Sequence, residues 1–452
     1  MKVCIIGTGD GGSTAAMQIR RLASDTQIDL FSKRAGLGCP PCEMPLVIGG
    51  TITSWDELVR GFRRDSFWEK RNVAVHLNTE VADIAREEKC IIDGGEKHRY
   101  DKLILALGAN PVIPDFPGLD GKNEFVLSTD MADGVALNNA IGRCSEAAVI
   151  GGGFIGLEIA AALKARGYNK VYLLVRRGIL RSYLDEDMAE RVKEVLVQNG
   201  IEMILPAKIE SIKTRKRKKC VTISDWEQEV NADFVFFATG AKPNVELAQK
   251  AGLKIGETGA IVVNQFLQTS DPDIYAIGDC LENWDIVTGS KRRHQLAANA
   301  IRTGYIAGRN AVLENKLTYE GTAMPFVTKI FNHQIGAVGF TEREAREKGL
   351  EIVSVDVDTP RLRERFNGKP AHYKLIADAK AETLIGAQII SEEIVSATVD
   401  KLAVAIACRM PLAKLVQIDS CYSPHVQEDQ IAAPLHRLID KVGSGGTRHQ
   451  TG

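Results

Sequence analysis

One pattern occurs twice in this chain of 452 residues. A short apolar run, Lys2 to Ile6, leads into Gly7-Thr8-Gly9-Asp10-Gly11-Gly12 and then into Ser13 to Leu22, a stretch of small residues and good helix formers. Later, Ala147 to Ile150 leads into Gly151-Gly152-Gly153-Phe154-Ile155-Gly156 and then into Leu157 to Arg166, closed by Gly167 at the C-cap position. Another apolar run follows each copy, Ile28 to Phe31 and Val171 to Val175, so each reads as strand, tight turn, helix, strand. In such a turn the first glycine permits a sharp bend, the second lets the backbone approach a pyrophosphate, and the third lets helix and strand pack closely. The helix N-terminus adds free N–H groups and the positive end of its dipole. Gly7, Gly9 and Gly12 fill these places in the first copy; Gly151, Gly153 and Gly156 fill them in the second. One such motif is a weak signal, but two in the right context predict two dinucleotide-binding units.

An acid normally ends the second strand of such a unit and reads the ribose hydroxyls. In the first copy that place falls near Ser32, with Lys33 beside it; in the second it falls near Val175, followed by Arg176 and Arg177. Neither has the acid. Two arginines there favour the extra phosphate of NADPH, with NADH left open.

The rest of the composition bounds the function class. At 44% hydrophobic and 25% charged residues, with a formal net charge of -1, the chain is globular and has no bulk field for nucleic acid or membrane. No apolar run approaches the ~20 residues of a membrane span, and the N-terminal run leads straight into a folded motif, so a cytoplasmic protein is expected. The basic run Arg215-Lys216-Arg217-Lys218-Lys219 lies between two strand-like runs, Lys208 to Lys213 and Cys220 to Ser224, and reads as a solvated hairpin tip. Nine cysteines are scattered without a disulfide framework. Cys39-Pro40-Pro41-Cys42 stands apart, but a zinc site needs a second such pair, and no metal is expected.

After Pro325 the pattern changes. Phe326 to Phe331, Ile335 to Val338, Tyr373 to Ala377 and Leu384 to Ile390 read as an antiparallel sheet, Ile394 to Cys408 as a helix, and Gly443 to Gly452 as part of a disordered tail.

Further motifs carry a family resemblance. Phe237-Ala238-Thr239-Gly240-Ala241-Lys242-Pro243-Asn244 resembles the segment that closes a nicotinamide-binding domain, and Leu103 to Pro111, with Gly108, resembles its counterpart in a flavin-binding domain. Tyr275-Ala276-Ile277-Gly278-Asp279 resembles a second FAD motif, whose Asp contacts the ribityl chain. In this order, with the two loops, they resemble the pyridine nucleotide-disulfide oxidoreductases. The resemblance implies an α/β fold with two Rossmann-like dinucleotide-binding domains plus a C-terminal α+β dimerisation domain. FAD would occupy 1–112 and 245–322, NAD(P)H 113–244, and the dimerisation domain 323–440, with 441–452 as the tail. Gly240 and Arg176 fall on the nicotinamide side, and Gly108, Lys33 and Asp279 on the flavin side.

Cys42-Glu43-Met44-Pro45-Leu46-Val47-Ile48-Gly49-Gly50 resembles the branch with a single redox cysteine, which includes coenzyme A-disulfide reductases, NADH oxidases and peroxidases, and polysulfide reductases. Gln18 and Arg21 match positions that contact coenzyme A, and Arg71 a neighbouring basic place. Tyr422, in Tyr422-Ser423-Pro424-His425, matches a tyrosine that reaches the partner subunit's active site in a homodimer. The chain departs from the branch at Asp10, where oxidases and peroxidases carry His, at Pro41, where coenzyme A reductases carry Asn, and at Glu364-Arg365, where a tyrosine is expected. Cys39 is extra. It is either an incidental loop residue or the partner of Cys42 in a redox disulfide, and Cys421 offers a third thiol.

The resemblance implies an FAD-dependent NAD(P)H oxidoreductase that reduces a small disulfide of the coenzyme A disulfide kind, or sulfur or polysulfide, through flavin and Cys42. An NAD(P)H oxidase reducing oxygen and an electron-transfer subunit of a larger redox complex are the alternatives. Catalysis at Cys42 requires a thiolate, whose pKa a helix N-terminus or a cation is expected to lower.

Overall fold

In the computed structural model, all residues are described except 60, 143, 227–228, 361, 363, 422, 424–430 and 447–452. The first repeat is β1 (Lys2–Ile6), α1 (Asp10–Leu22) and β2 (Gln27–Phe31). β1 lies at the centre of a five-stranded parallel sheet, between β2 and Lys102–Leu105, with Val73–His76 and Ile274–Ala276 at the edges. Its residues Val3, Cys4 and Ile5 are fully buried, as a strand covered on both faces requires. A short helix, α2 (Met44–Ile48), follows the Cys39–Cys42 turn.

The second repeat is β3 (Glu146–Ile150), α3 (Phe154–Ala165) and β4 (Lys170–Leu174). Its parallel sheet has the same layout, with β3 between β4 and Phe234–Phe237, and with Ile201–Ile204 and Glu124–Phe125 at the edges. Each unit also carries a three-stranded antiparallel insert. The chain passes between the units twice. The outgoing Ala109–Pro111 pairs antiparallel with the returning Ala241–Pro243, and Asn244 Nδ2 donates to Leu107 O at 2.9 Å.

A long helix, α4 (Ala297–Leu313), returns the chain to the first unit and packs against α1. A Cβ on Gly304 would fall 2.3 Å from Gly11 O, and one on Gly308 2.6 Å from Ala15 O, so this close packing needs both glycines. The third unit is an antiparallel sheet in the order Phe326–Ile330, His333–Gly339, Thr383–Ser391, Ala371–Asp378, Ile352–Asp358. The fifth strand, Ile352–Asp358, was not anticipated from the sequence. Two helices, α5 (Ser396–Ala407) and α6 (Ala432–Gly446), build this unit's core with the sheet. Residues 441–446 are therefore helical and not the start of a tail, because the apolar spacing of Leu435, Leu438, Ile439 and Val442 carries α6 onward.

The basic run needs a partial correction. Only Lys216 and Arg217, at φ 48 and 66, form the hairpin tip. Lys219 is 1% exposed, with its ammonium 2.6 Å from both Asp120 and Glu124. Lys218 pairs with Glu146, and Arg215 with Glu229. Three of the five charges are thus taken up by acids of the same unit. No helix among the described residues is long and apolar enough to cross a membrane.

Candidate active-site cleft

The two glycine-rich turns repeat one another at the level of atoms. A Cβ on Gly7 would fall 2.0 Å from Ala106 O, and one on Gly12 1.9 Å from Gly7 O. The equivalents in the second unit are 2.1 Å from Gly151 to Ala238 O and 2.1 Å from Gly156 to Gly151 O. The first and third glycines are therefore required by the fold itself. The middle ones are not, since a Cβ on Gly9 or Gly153 meets nothing within 4 Å. Space in front of a helix N-terminus is what a pyrophosphate needs.

Two cavities, of about 540 Å³ and 500 Å³, open on either side of the first turn. Gly9, Ala106, Gly108 and Thr129 line both, so they form one elongated cleft. Lys33 and Arg34 line the smaller end. At the larger end stands Asp279, whose carboxyl accepts no hydrogen bond from a described residue and is pushed up to about 6 by burial and by nearby Asp10. A long ligand with a diphosphate in the middle and hydroxyls beside Asp279 fits these features, as FAD would. In the second unit, Arg176 and Arg177 are exposed just beyond β4, after the buried Val175.

The larger cavity also holds the thiols. Pro40 and Pro41 bend the chain between them, and Glu43 N donates to Pro40 O at 3.1 Å. α2 is fixed against α3 of the second unit, where Arg166 Nη2 donates to Val47 O at 3.2 Å. Cys42 is exposed to the cleft and Cys39 is buried; both are free thiols, so this structure carries no Cys39–Cys42 disulfide. The expectation of a lowered pKa is not met. Partial desolvation and the carboxylates of Glu158, Glu43 and Asp10 push the Cys42 thiol up to about 11. Cys39 is likewise pushed up to about 11 by burial and Glu43, with Arg63 opposing.

Two residues at this end were not singled out from the sequence. Glu158, in the first turns of α3, accepts a hydrogen bond from Thr328 Oγ1 at 2.7 Å, while its Oε2 is buried and unpartnered. Burial pushes its carboxyl up to about 7. Arg63 Nη2 lies 3.0 Å from Asp10 Oδ1 in a largely buried ion pair.

Residues 1–304 match the family described as pyridine nucleotide-disulphide oxidoreductase, and residues 326–433 match its dimerisation domain. The chain belongs to this family. It is an oxidoreductase, and its cofactors are FAD and NAD(P)H. A protein named NADH oxidase from Methanocaldococcus jannaschii is 36% identical over 94% of this chain and 95% of its own length. A Pyrococcus abyssi protein named NAD(P)H sulfur oxidoreductase (CoA-dependent) is 32% identical over 93% of this chain and 94% of its own. The solved structure of a NAD-dependent persulfide reductase from A. fulgidus matches with a TM-score of 0.93 at 31% identity, covering 98% of this chain and 84% of that one.

The remaining residues suggested by the family resemblance lie elsewhere. Gln18 and Arg21 are near the C-terminal end of α1, about 12 Å or more along the helix from Asp10. Gln18 Oε1 is buried without a partner. Arg71 stacks 3.6 Å over the Phe67 ring and donates to Phe67 O. Arg20 Nη2 donates to Asn72 O at 2.7 Å, which brings this segment beside α1. None of the three lines the cleft at Cys42. Gly108 and Gly240 take positive φ at the two ends of the inter-unit crossing. Tyr422 lies outside the described residues; Cys421 beside it is exposed. Asp93, Glu96 and His98 form the one metal-ligand-type group found among the described residues, and it does not include the Cys39–Cys42 turn. There His98 bonds to Asp93 at 2.8 Å and packs edge-on against Phe31.

Proposed function

We propose that this enzyme moves electrons from NAD(P)H by way of FAD to a small sulfur acceptor at Cys42: a disulfide of the coenzyme A disulfide kind, or sulfur or polysulfide. The observation that carries the reading is a convergence. The first glycine-rich turn, Asp279, the exposed Cys42 and the opening residues of α3 all line one cavity. Relatives named for CoA-dependent sulfur reduction support it.

Gly9, the N-terminus of α1 and Asp279 would hold FAD, and Gly153 with Arg176 would hold the nicotinamide coenzyme. Bound FAD supplies the two-electron chemistry between NAD(P)H and sulfur. The Cys42 thiolate attacks one sulfur of a disulfide, forming a mixed disulfide and releasing the other half as a thiolate, which takes a proton. Two electrons and one proton then return Cys42 to its thiolate and release the second thiol. Glu158 keeps an exchangeable proton in the cleft near neutral pH. In a homodimer built on the 326–433 region, Tyr422 of the partner subunit would be a second proton donor, with Cys39 beside Cys42 as a second thiol. Gln18, Arg21 and Arg71 would hold the far, anionic end of a coenzyme A acceptor.

The test is anaerobic reduction of the holoenzyme with NADH and NADPH, followed by coenzyme A disulfide, polysulfide and then oxygen. Sulfur turnover that disappears in Cys42→Ser supports the reading. The M. jannaschii relative's name favours oxygen as a second acceptor. If oxygen consumption is the main activity and survives Cys42→Ser, the sulfur reading is wrong.

A further inference from the structure

The Cys42 end of the cleft is strongly acidic. Asp10, Glu158, Asp279 and Asp400 line it, and Glu43 adjoins Cys42. Among its described lining residues there is one cation, Arg63. Arg63 comes from a short turn, Gly61–Arg63, distant in sequence from both the thiols and the glycine-rich loop. It is held there on two sides: Asp10 takes one of its N–H groups at 3.0 Å, and its guanidinium lies 4.8 Å from the centre of the Phe62 ring. Its side chain is 14% exposed and that of Asp10 is 16% exposed, so the charge is partly desolvated without being sealed away. A guanidinium has five N–H donors, and Asp10 is the one described partner they have. Arg63 itself lines the cleft.

We propose that Arg63, braced by Asp10, is the specificity-determining residue that admits an anionic sulfur acceptor, a persulfide or polysulfide, to Cys42. An anionic acceptor approaching that thiol meets the carboxylates of Asp10, Glu43 and Glu158. Without a fixed cation the cleft would reject it, whereas a neutral disulfide would be little affected. Asp10 consumes only part of the guanidinium and fixes its direction, so it is a positioning residue. The inference rests on the reading that Cys42 is the sulfur-reacting group.

The test separates the two ideas. In the holoenzyme, inorganic polysulfide is compared with the neutral bis(2-hydroxyethyl) disulfide for wild type, Arg63→Gln, Arg63→Lys and Asp10→Asn. Arg63→Gln is expected to lower kcat/KM for polysulfide about tenfold, chiefly through KM, with less than about a twofold change for the neutral disulfide, and Arg63→Lys to recover part of the loss. Asp10→Asn is expected to fall between. A second readout needs no turnover: the ratio of Cys42 alkylation rates by anionic iodoacetate and neutral iodoacetamide, read by mass spectrometry. That ratio should drop about fivefold in Arg63→Gln. Equal losses with both acceptors, or an unchanged alkylation ratio, overturn the role of Arg63. A wild-type enzyme that reduces neither sulfur acceptor, while the alkylation ratio still falls, overturns the sulfur reading and leaves the anion site standing.

Discussion

Replacing Glu158 with Gln should make Cys42 more reactive, although no atom of Cys42 changes. Of the charges that push this thiol up, Glu158 acts most strongly. At about pH 8 a thiol with a pKa of about 11 is ionised to roughly one part in a thousand. A carboxylate lining the same cavity, at an effective dielectric of about 20, contributes on the order of 1.4 kcal/mol, or roughly one pKa unit. Glu158→Gln should therefore raise the Cys42 thiolate fraction, and its rate of alkylation by iodoacetamide, about tenfold at that pH. The sign has a pH signature. Glu158 ionises as pH rises through about 7, so its repulsion is absent well below that value and full above it. The two proteins should alkylate at the same rate near about pH 5.5 and diverge above about pH 7. Because Cys408 and Cys421 are also exposed, the modified cysteine must be located by peptide mass spectrometry. Equal rates at about pH 8, or a slower variant, would refute the electrostatic argument.

Two substitutions separate the structural glycines from the ligand-facing one. Gly12→Ala, whose Cβ would meet Gly7 O, should leave little folded protein, whereas Gly9→Ala should fold and be purified without its flavin colour. Full flavin content in Gly9→Ala would show that Gly9 does not face the cofactor. Lys219→Met should lower stability by about 3 kcal/mol, read as a fall in thermal midpoint, because it leaves the buried Glu124 carboxylate without its cation. The double change Lys219→Met, Glu124→Leu should recover most of that loss; if it does not, the buried pair is not the cause.

The duplicated motif was legible because its constraints are local. Bend, open space and helix packing all fall within six residues, and the structure places each glycine where that logic requires. The Cys39–Cys42 turn was legible for the same reason. The electrostatics around it were not, because they are assembled from afar. Asp10 meets Arg63 from another element, and Thr328 reaches Glu158 from the third unit. Read along the chain, Glu158 is an ordinary polar residue of a helix and Arg63 part of a charged stretch. The same distance hid the fate of Lys219, whose partners lie in the segment before β3. The strand Ile352–Asp358 does alternate, with Val353, Val355 and Val357 on one side. It is an edge strand with its acids outward, and its signal is correspondingly weak.

The paired segments Ala109–Pro111 and Ala241–Pro243 make the second dinucleotide unit a cassette with both ends at one gate. Its surroundings are joined without it, since Lys102–Leu105 and Ile274–Ala276 are neighbours in the same sheet. A relative's intervening segment could be exchanged at these two points without cutting a strand of the first unit's sheet. If coenzyme choice resides around Arg176, as proposed, it would travel with that segment, while the Cys42 loop, Asp10 and Arg63 lie outside it. The exchange would reach the sulfur end at one place, because the segment brings Phe154, Ile155 and Glu158 to the Cys42 cavity, so a donor segment must keep that corner of α3.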